Sequence, residues 1–404
     1  MRIVPVLFMA MAAIGCGSAK KVAEPAVETA TVAVEPQVEK TLNHEVMKKP
    51  DIDIEKVFFS AALLKEAIKQ QPEDNVILSP FSAGVAFSML SDGARGTTRD
   101  GLVSAMQGSS YYGDFPRTDS VNIVKTANSI WLNTGLIPKE DYINTLKNAY
   151  RAEVYAADNG DPFTVSAINA WCAKHTEGLI REIIAELPDY CRMVLMNALY
   201  FKAPWAIAFN KESTYKETFH GEKGDCEVDF MHNTSSGYEV WQVPGCNFVN
   251  LRYKDGKYAM LLAIPDDMAS AQGKIGPDKF QEAVANVHSG MKVRLSLPKF
   301  KTEYTRILNN IMISLGAGEV FTPKADLSGI SNEALFVSLA LQKCVLDVNE
   351  EGSEAAAVTA IIVTRSTAVR PEPIIDIKVD KPFFFAIYDV KSQNILFEGK
   401  IANL

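Results

Sequence analysis

The sequence has no G-x-S-x-G, no H-E-x-x-H, no Walker A loop and no G-x-G-x-x-G. That removes the short motifs that carry serine hydrolysis, zinc hydrolysis and nucleotide binding. Its five histidines, His44, His175, His220, His232 and His288, are too scattered to suggest a metal cluster. Neither sign of charge is concentrated: 41 basic against 49 acidic residues give a net charge of −8, and no Lys/Arg block exceeds a pair. There is no electrostatic footprint for a polyanion, so nucleic acid is set aside as a partner. Cysteine is sparse, and no C-x-x-C pair occurs. Beyond Cys16 there remain Cys172, Cys191, Cys226, Cys246 and Cys344, an odd number that excludes a full disulfide framework. One bridge, for instance Cys226 to Cys246, stays open beside the plainer reading of buried or idle thiols. No cofactor is implied. What is present is apolar mass: 47% hydrophobic and 22% charged residues describe a globular chain with a large core.

The first sixteen residues read differently from the rest. Arg2 is followed by an uncharged run over 3–14 and then by Gly15-Cys16, too short to span a bilayer and shaped like an export signal. The run Ala13-Ile14-Gly15-Cys16 resembles the lipobox of bacterial lipoproteins. The resemblance implies removal of the leader and lipidation of Cys16, hence a membrane anchor. With Gly17 and not Asp after Cys16, it implies the outer membrane, on its periplasmic or cell-surface side, with release to the extracellular space as a further outcome. Residues 17–49 hold no aromatic residue and no Ile. They cannot offset the entropy of ordering, and read as a tether about 30 Å long. The folded part is expected over 50–404.

Within it, Ile54, Val57, Phe58, Ala61, Leu64, Ala67 and Ile68 recur at helical spacing, with Asp51 or Asp53 positioned as a cap. A second helix is expected over 165–187, with Ile168, Trp171, Cys172, Leu179, Ile183 and Ile184 as its face and Pro188 as its stop. The nearly unbroken apolar runs 193–201 and 258–264 predict strands covered on both faces, and the alternation over 293–297 and 375–379 predicts half-exposed ones. Helices crowd the first half and strands the second, which points to a single α+β domain.

The most informative segment begins at Asn349. An acidic lead, Glu350-Glu351, is followed by Gly352, then by Ser353, Glu354 and the small residues Ala355 to Ala357, then by β-branched ones, with no charge or Pro from Ala355 to Thr364. As a strand it would carry Ser353, Ala355, Ala357, Thr359, Ile361 and Val363 on one face and Glu354, Ala356, Val358, Ala360, Ile362 and Thr364 on the other. Nearly all of it could be buried, yet Arg365, Ser366, Thr367, Arg370, Pro371 and Pro373 follow at once, as suits an exposed loop.

This stretch closely resembles the hinge and reactive-centre loop of the serpin family. Further stretches match in order: Asn75-Val76-Ile77-Leu78-Ser79-Pro80-Phe81-Ser82 with Gly93-Ala94-Arg95-Gly96-Thr97-Thr98, then Asn197 with Phe201-Lys202-Ala203-Pro204-Trp205, Pro298-Lys299-Phe300, Ala325-Asp326-Leu327-Ser328-Gly329, Lys381-Pro382-Phe383-Phe384 and Leu396-Phe397-Glu398-Gly399-Lys400. The resemblance covers about 51–404. It implies helices packed on a large mixed central sheet with additional β-sheets, and an exposed reactive-centre loop over about 350–373. It also implies a suicide-substrate inhibitor of serine, and also of cysteine, proteases. The target cleaves the loop, and the freed strand enters the main sheet before the acyl-enzyme hydrolyses. The inhibitor supplies no catalytic group.

On this resemblance Glu350, Gly352, Ser353, Ala355, Ala356 and Ala357 form the hinge, and the small size of Ser353, Ala355, Ala356 and Ala357 favours an inhibitor over a non-inhibitory binding protein of the same fold or a secreted hydrolase. Ser79, Ser82, Asn197, Trp205 and Gln342 belong to the region where the sheet opens. Gln342 stands where the family usually has a His that partners the Asn matching Asn197. The reactive bond is Arg365-Ser366 or Ser366-Thr367; Arg365 implies a trypsin-like target, with neighbouring bonds open to a broader range. The resemblance further implies a monomer with a tendency to loop-sheet polymers.

Overall fold

The apolar run from Met193 divides the molecule's interior in two. In the strand Met193–Pro204 the side chains of Met193, Leu195, Leu199, Phe201 and Ala203 enter one core, while Val194, Met196 and Ala198 enter another. A strand that is apolar on both faces must be covered on both, and this one lies inside a six-stranded sheet. The computed structural model describes residues 52–404 except 114, 117, 159–160, 177, 179–180, 189, 272–275 and 354–372. The expected leader, anchor Cys16, tether and most of the expected loop, Ala355, Ala356, Ala357, Arg365, Ser366 and Thr367 among them, lie outside the described residues.

The strand order of this main sheet is Phe300–Ile307, Leu339–Asn349, Gly352–Ser353, Met193–Pro204, Ile123–Asn133 and Ala152–Ala157. A second six-stranded sheet runs Val76–Leu78, Ile395–Ile401, Phe383–Asp389, Tyr258–Pro265, Cys246–Arg252 and Glu239–Val243. A four-stranded sheet runs Ile374–Lys378, Lys292–Pro298, Gly224–Ser235 and Thr214–Gly221. With helices packed around the sheets, the architecture is the expected α+β.

The strands expected at 193–201, 258–264 and 293–297 are present, each extended by one to three residues in all, and the one expected at 375–379 is Ile374–Lys378, shifted by one residue. The expected first helix is Ile54–Gln70, but its buried face is Val57, Ser60, Leu64 and Ala67 with Phe59 and Leu63, leaving Phe58 41% exposed. Asp53 occupies the N-cap position without capping; its carboxylate pairs with Lys56 at 2.9 Å.

The helix expected over 165–187 is Pro162–His175. It starts on Asp161, whose carboxylate accepts from Phe163 N–H at 2.8 Å. It ends where Gly178, at φ +75°, donates back to the Ala173 carbonyl at 2.8 Å. Ile183 and Ile184 still reach the same core, because the chain folds back over the helix and is held by the Asn169 side chain. That amide accepts from Ile183 N–H (2.9 Å) and Ile184 N–H (3.2 Å) and donates to Ile184 O (2.8 Å).

Candidate functional site

Two neighbouring strands of the main sheet are zipped at one end and parted at the other. Leu339–Asn349 and Met193–Pro204 run parallel, paired from Leu339 with Val194 to Cys344 with Leu199. Beyond that point the chain turns at Glu350-Glu351 and returns into the gap as Gly352–Ser353. There it pairs antiparallel with Asn349 and Val348 on one side and with Pro204 and Ala203 on the other. Two residues of the segment with the small-residue pattern are therefore already threaded between two central strands.

Each of the first hinge residues is tied down. Glu350 is 4% exposed; its carboxylate accepts from Thr214 Oγ1 at 3.0 Å and pairs with Lys299 Nζ at 3.1 Å. Burial alone would raise the Glu350 pKa, but a backbone hydrogen bond, Lys299 and Thr214 outweigh it and hold the carboxyl below its ordinary value. Gly352 sits at φ +156°, and a Cβ there would lie 2.1 Å from the Ala203 carbonyl oxygen. Only glycine fits that passage. Ser353 is 1% exposed and its Oγ lies 2.7 Å from the Tyr253 hydroxyl. Trp205 stacks on Tyr253 with ring centroids 4.6 Å apart and 13° between planes. It donates its Nε1–H to Asn349 O at 3.0 Å and its backbone N–H to Glu351 O at 2.8 Å. The tryptophan thus bridges both sides of the gap.

The zipped end is closed by polar side chains buried beneath the sheet. Gln342 and Asn197 are register partners, and both face the larger core. The Gln342 amide grips the Ser79 backbone twice, accepting from Ser79 N–H at 3.0 Å and donating to Ser79 O at 2.8 Å. Ser79 in turn caps the helix Pro80–Gly93, its Oγ accepting from Ser82 N–H at 3.2 Å. Asn197 does not reach Gln342; its Nδ2 donates to Asn128 on the adjacent strand Ile123–Asn133, and its Oδ1 is buried without a partner. The Ser82 hydroxyl is likewise buried and unpartnered. A buried orphan acceptor costs about 1–3 kcal/mol, so the zipped end carries an unsatisfied amide oxygen at the level where Gln342 is tied to Ser79.

A family model described as Serpin (serine protease inhibitor) matches residues 55–404. The chain belongs to the serpin family. Among its relatives, the serine protease inhibitor of Cyanea capillata is 32% identical, covering 86% of this chain and 95% of that one. Alpha-1-antichymotrypsin of Pongo abelii is 30% identical, covering 86% of each. Among solved structures, the thermophilic serpin tengpin in its native state superposes with a TM-score of 0.79 at 28% identity, over 88% of this chain and 96% of that one. The serpin fold inferred from the residue pattern is the fold observed.

In this serpin the sequence-derived residues fall into two groups. Glu350, Gly352, Ser353 and Trp205 gather at the parted end, and Ser79, Ser82, Asn197 and Gln342 gather at the zipped end. Gln342 is a departure from expectation, because it partners Ser79 in place of Asn197. Tyr253, Asn128 and Thr214 also carry the site, outside every motif of the sequence, and Lys299 joins them from Pro298-Lys299-Phe300. All contact the site across long sequence separations that no local pattern marks. Among the described residues no disulfide joins Cys172, Cys191, Cys226, Cys246 or Cys344, so the bridge left open between Cys226 and Cys246 is not formed.

Proposed function

We propose that this serpin is a suicide-substrate inhibitor of a trypsin-like serine protease, cleaved at Arg365-Ser366 and trapping its target by inserting the segment after Gly352 into the main sheet. The observation that carries the reading is the pairing of Gly352–Ser353 with both flanking strands. Continued in that register, Ala355 would face Phe201 and Leu346, Ala357 would face Leu199 and Cys344, and Thr359 would enter between Asn197 and Gln342. Apart from Glu354, the residues next to enter, Ala355, Ala356 and Ala357, are small, and a charged side chain on the face of Ser353 would meet a desolvation cost of several kcal/mol. Thr359 would bring a hydroxyl to the level of the orphan Asn197 Oδ1. Insertion then gains ladder hydrogen bonds that the uncleaved state forgoes, which is the stored free energy that drives the trap. Relatives named as serine protease inhibitors support the activity.

Arg365 supports a protease whose specificity pocket holds a carboxylate, through a charge-assisted pair. The neighbouring Ser366-Thr367 bond is the alternative. We also read Cys16 as lipidated after export, anchoring the inhibitor at an outer membrane through the 17–49 tether; labelled palmitate taken up by the parent and lost in Cys16→Ala tests this.

Incubation with trypsin and resolution under denaturing conditions tests the main reading. A covalent band is expected, with a released peptide beginning at Ser366. A start at Thr367 would move the bond by one residue. Failure to trap any protease in a broad serine and cysteine panel would favour a non-inhibitory binding protein.

A further inference from the structure

The zipped strands that would receive the cleaved loop are covered by a helix. Ile168, Trp171 and Cys172 of the helix Pro162–His175 share one core with Val194 and Met196 of one strand and Leu341 of the other. Continued in the register of Gly352–Ser353, the inserting segment would add Val358, Ala360 and Ile362 to that core, with Ile362 between Val194 and Leu339. A close-packed interior has no room for three more side chains unless its cover moves. The C-terminal half of the helix is fastened by a carboxylate on the edge strand Ala152–Ala157. Glu153 Oε2 accepts from the indole Nε1–H of Trp171 at 2.6 Å and from the Tyr155 hydroxyl at 2.8 Å. His175 Nε2 lies 3.4 Å from the same oxygen without a hydrogen bond, and its ring packs on Trp171 with centroids 4.7 Å apart. Tyr155 in turn stacks on Trp131 at 4.4 Å, and Trp131 donates its Nε1–H to Ser129 Oγ at 2.9 Å, which ties the acceptor side to the sheet. Burial alone would raise the Glu153 pKa, but the bonds from Trp171 and Tyr155 and the charges of His175 and Lys174 outweigh it and hold the carboxyl below its ordinary value.

Resting on the insertion reading, we propose that Glu153 is the latch of this helix: its bond to Trp171 must break before the segment beyond Ala357 enters, and the strength of that bond sets the rate of the step. Glu153 touches neither the loop nor the protease, so it is a positioning residue. An indole N–H on an ionised carboxylate makes a charge-assisted bond, about twice as strong as a neutral one. Hydrogen bonds weaken steeply once stretched or bent, so lifting the helix by the width of a side chain breaks it. The latch divides insertion into two stages. Residues 354–357 reach only as far as the last zipped pair, Cys344 with Leu199, and enter with the helix in place. Residues 358–364 pass beneath it and need the latch open.

The test uses the full chain and two fluorescein-labelled peptides of its own sequence, 354–364 and 354–357, annealed without any protease and followed by fluorescence anisotropy. Glu153→Gln should speed uptake of the longer peptide about fivefold or more and leave that of the shorter within about twofold. Trp171→Phe, which keeps a ring and removes the donor, should act in the same way and keeps the latch testable should Glu153→Gln lose its fold. Combined, the two substitutions should fall well short of the product of their separate effects, because they break the same bond. Unchanged uptake of 354–364 in both variants, equal acceleration of the two peptides, or the full product in the double variant would overturn the latch and leave insertion standing. No uptake of 354–364 by the parent would overturn the insertion reading itself, and the latch with it.

Discussion

At Glu350 a carboxylate is buried, which disfavours its charge, and is paired and hydrogen-bonded, which favours it; the second effect prevails and its pKa is lowered. A lowered folded-state value means that this contribution to stability is present above the unfolded carboxylate pKa and is lost as pH falls through the folded one. Below about pH 4 the hinge anchor should therefore weaken. Glu350→Gln should cost about 1 kcal/mol near neutral pH, discounted because Lys299 is half-exposed, and should flatten the acid limb of a melting curve taken from pH 3 to 6. Glu398 behaves oppositely. Desolvation by burial raises it to about 8, with the Ser60 hydrogen bond opposing. Between the unfolded value near pH 4.3 and about 8 the folded state holds the extra proton, so stability should fall as pH rises, by up to about 1.4 kcal/mol per unit. The difference between parent and Glu398→Gln in urea midpoint, measured from pH 5 to 8, should follow that slope; a flat difference would contradict it. At this scale the sequence was only partly legible. The succession Glu350, Gly352, Ser353 stands out by composition, but Tyr253 meets Ser353 across 100 positions, and nothing near Tyr253 marks it for that contact.

Two elements, the hinge and the strand that receives it, set the behaviour of the site. Gly352 passes so close to the Ala203 carbonyl that a methyl group cannot be accommodated without moving a strand. Gly352→Ala should therefore push the hinge out of the sheet, lowering stability by at least about 1–3 kcal/mol through strain and unmade ladder bonds. Faster amide hydrogen exchange at Ser353 and Ala203 would report the release; unchanged exchange would contradict the close approach. The receiving strand was legible because burial on both faces leaves an apolar run at 193–201 broken only by Asn197. The helix expected over 165–187 shows the limit of such patterns. Ile183 and Ile184 are apolar because they reach the core that Ile168 and Trp171 occupy, and burial alone does not reveal that the chain reverses between them around Asn169. Phe58 likewise sits at helical spacing yet faces outward, since the face is set by which neighbours the helix meets.

For the molecule as a whole, the parted sheet is the central feature: two strands held parallel from Leu339–Val194 to Cys344–Leu199, with a hinge threaded at one end and Gln342 holding Ser79 at the other. If the cleaved loop completes the sheet, roughly ten residues gain partners on both sides, at about 0.5–1.5 kcal/mol net per hydrogen bond. That gain should appear as a large rise in melting temperature. The direct measurement is the midpoint of thermal unfolding for the intact chain and for the chain nicked in its loop by catalytic trypsin, with Ser353→Arg treated identically. The account predicts that nicking raises the parent's midpoint by more than about 10 °C. The variant, which would carry a guanidinium beneath the sheet, should be cleaved at the same bond and gain little. Equal midpoints for intact and nicked parent, or an equal rise in Ser353→Arg, would contradict strand insertion.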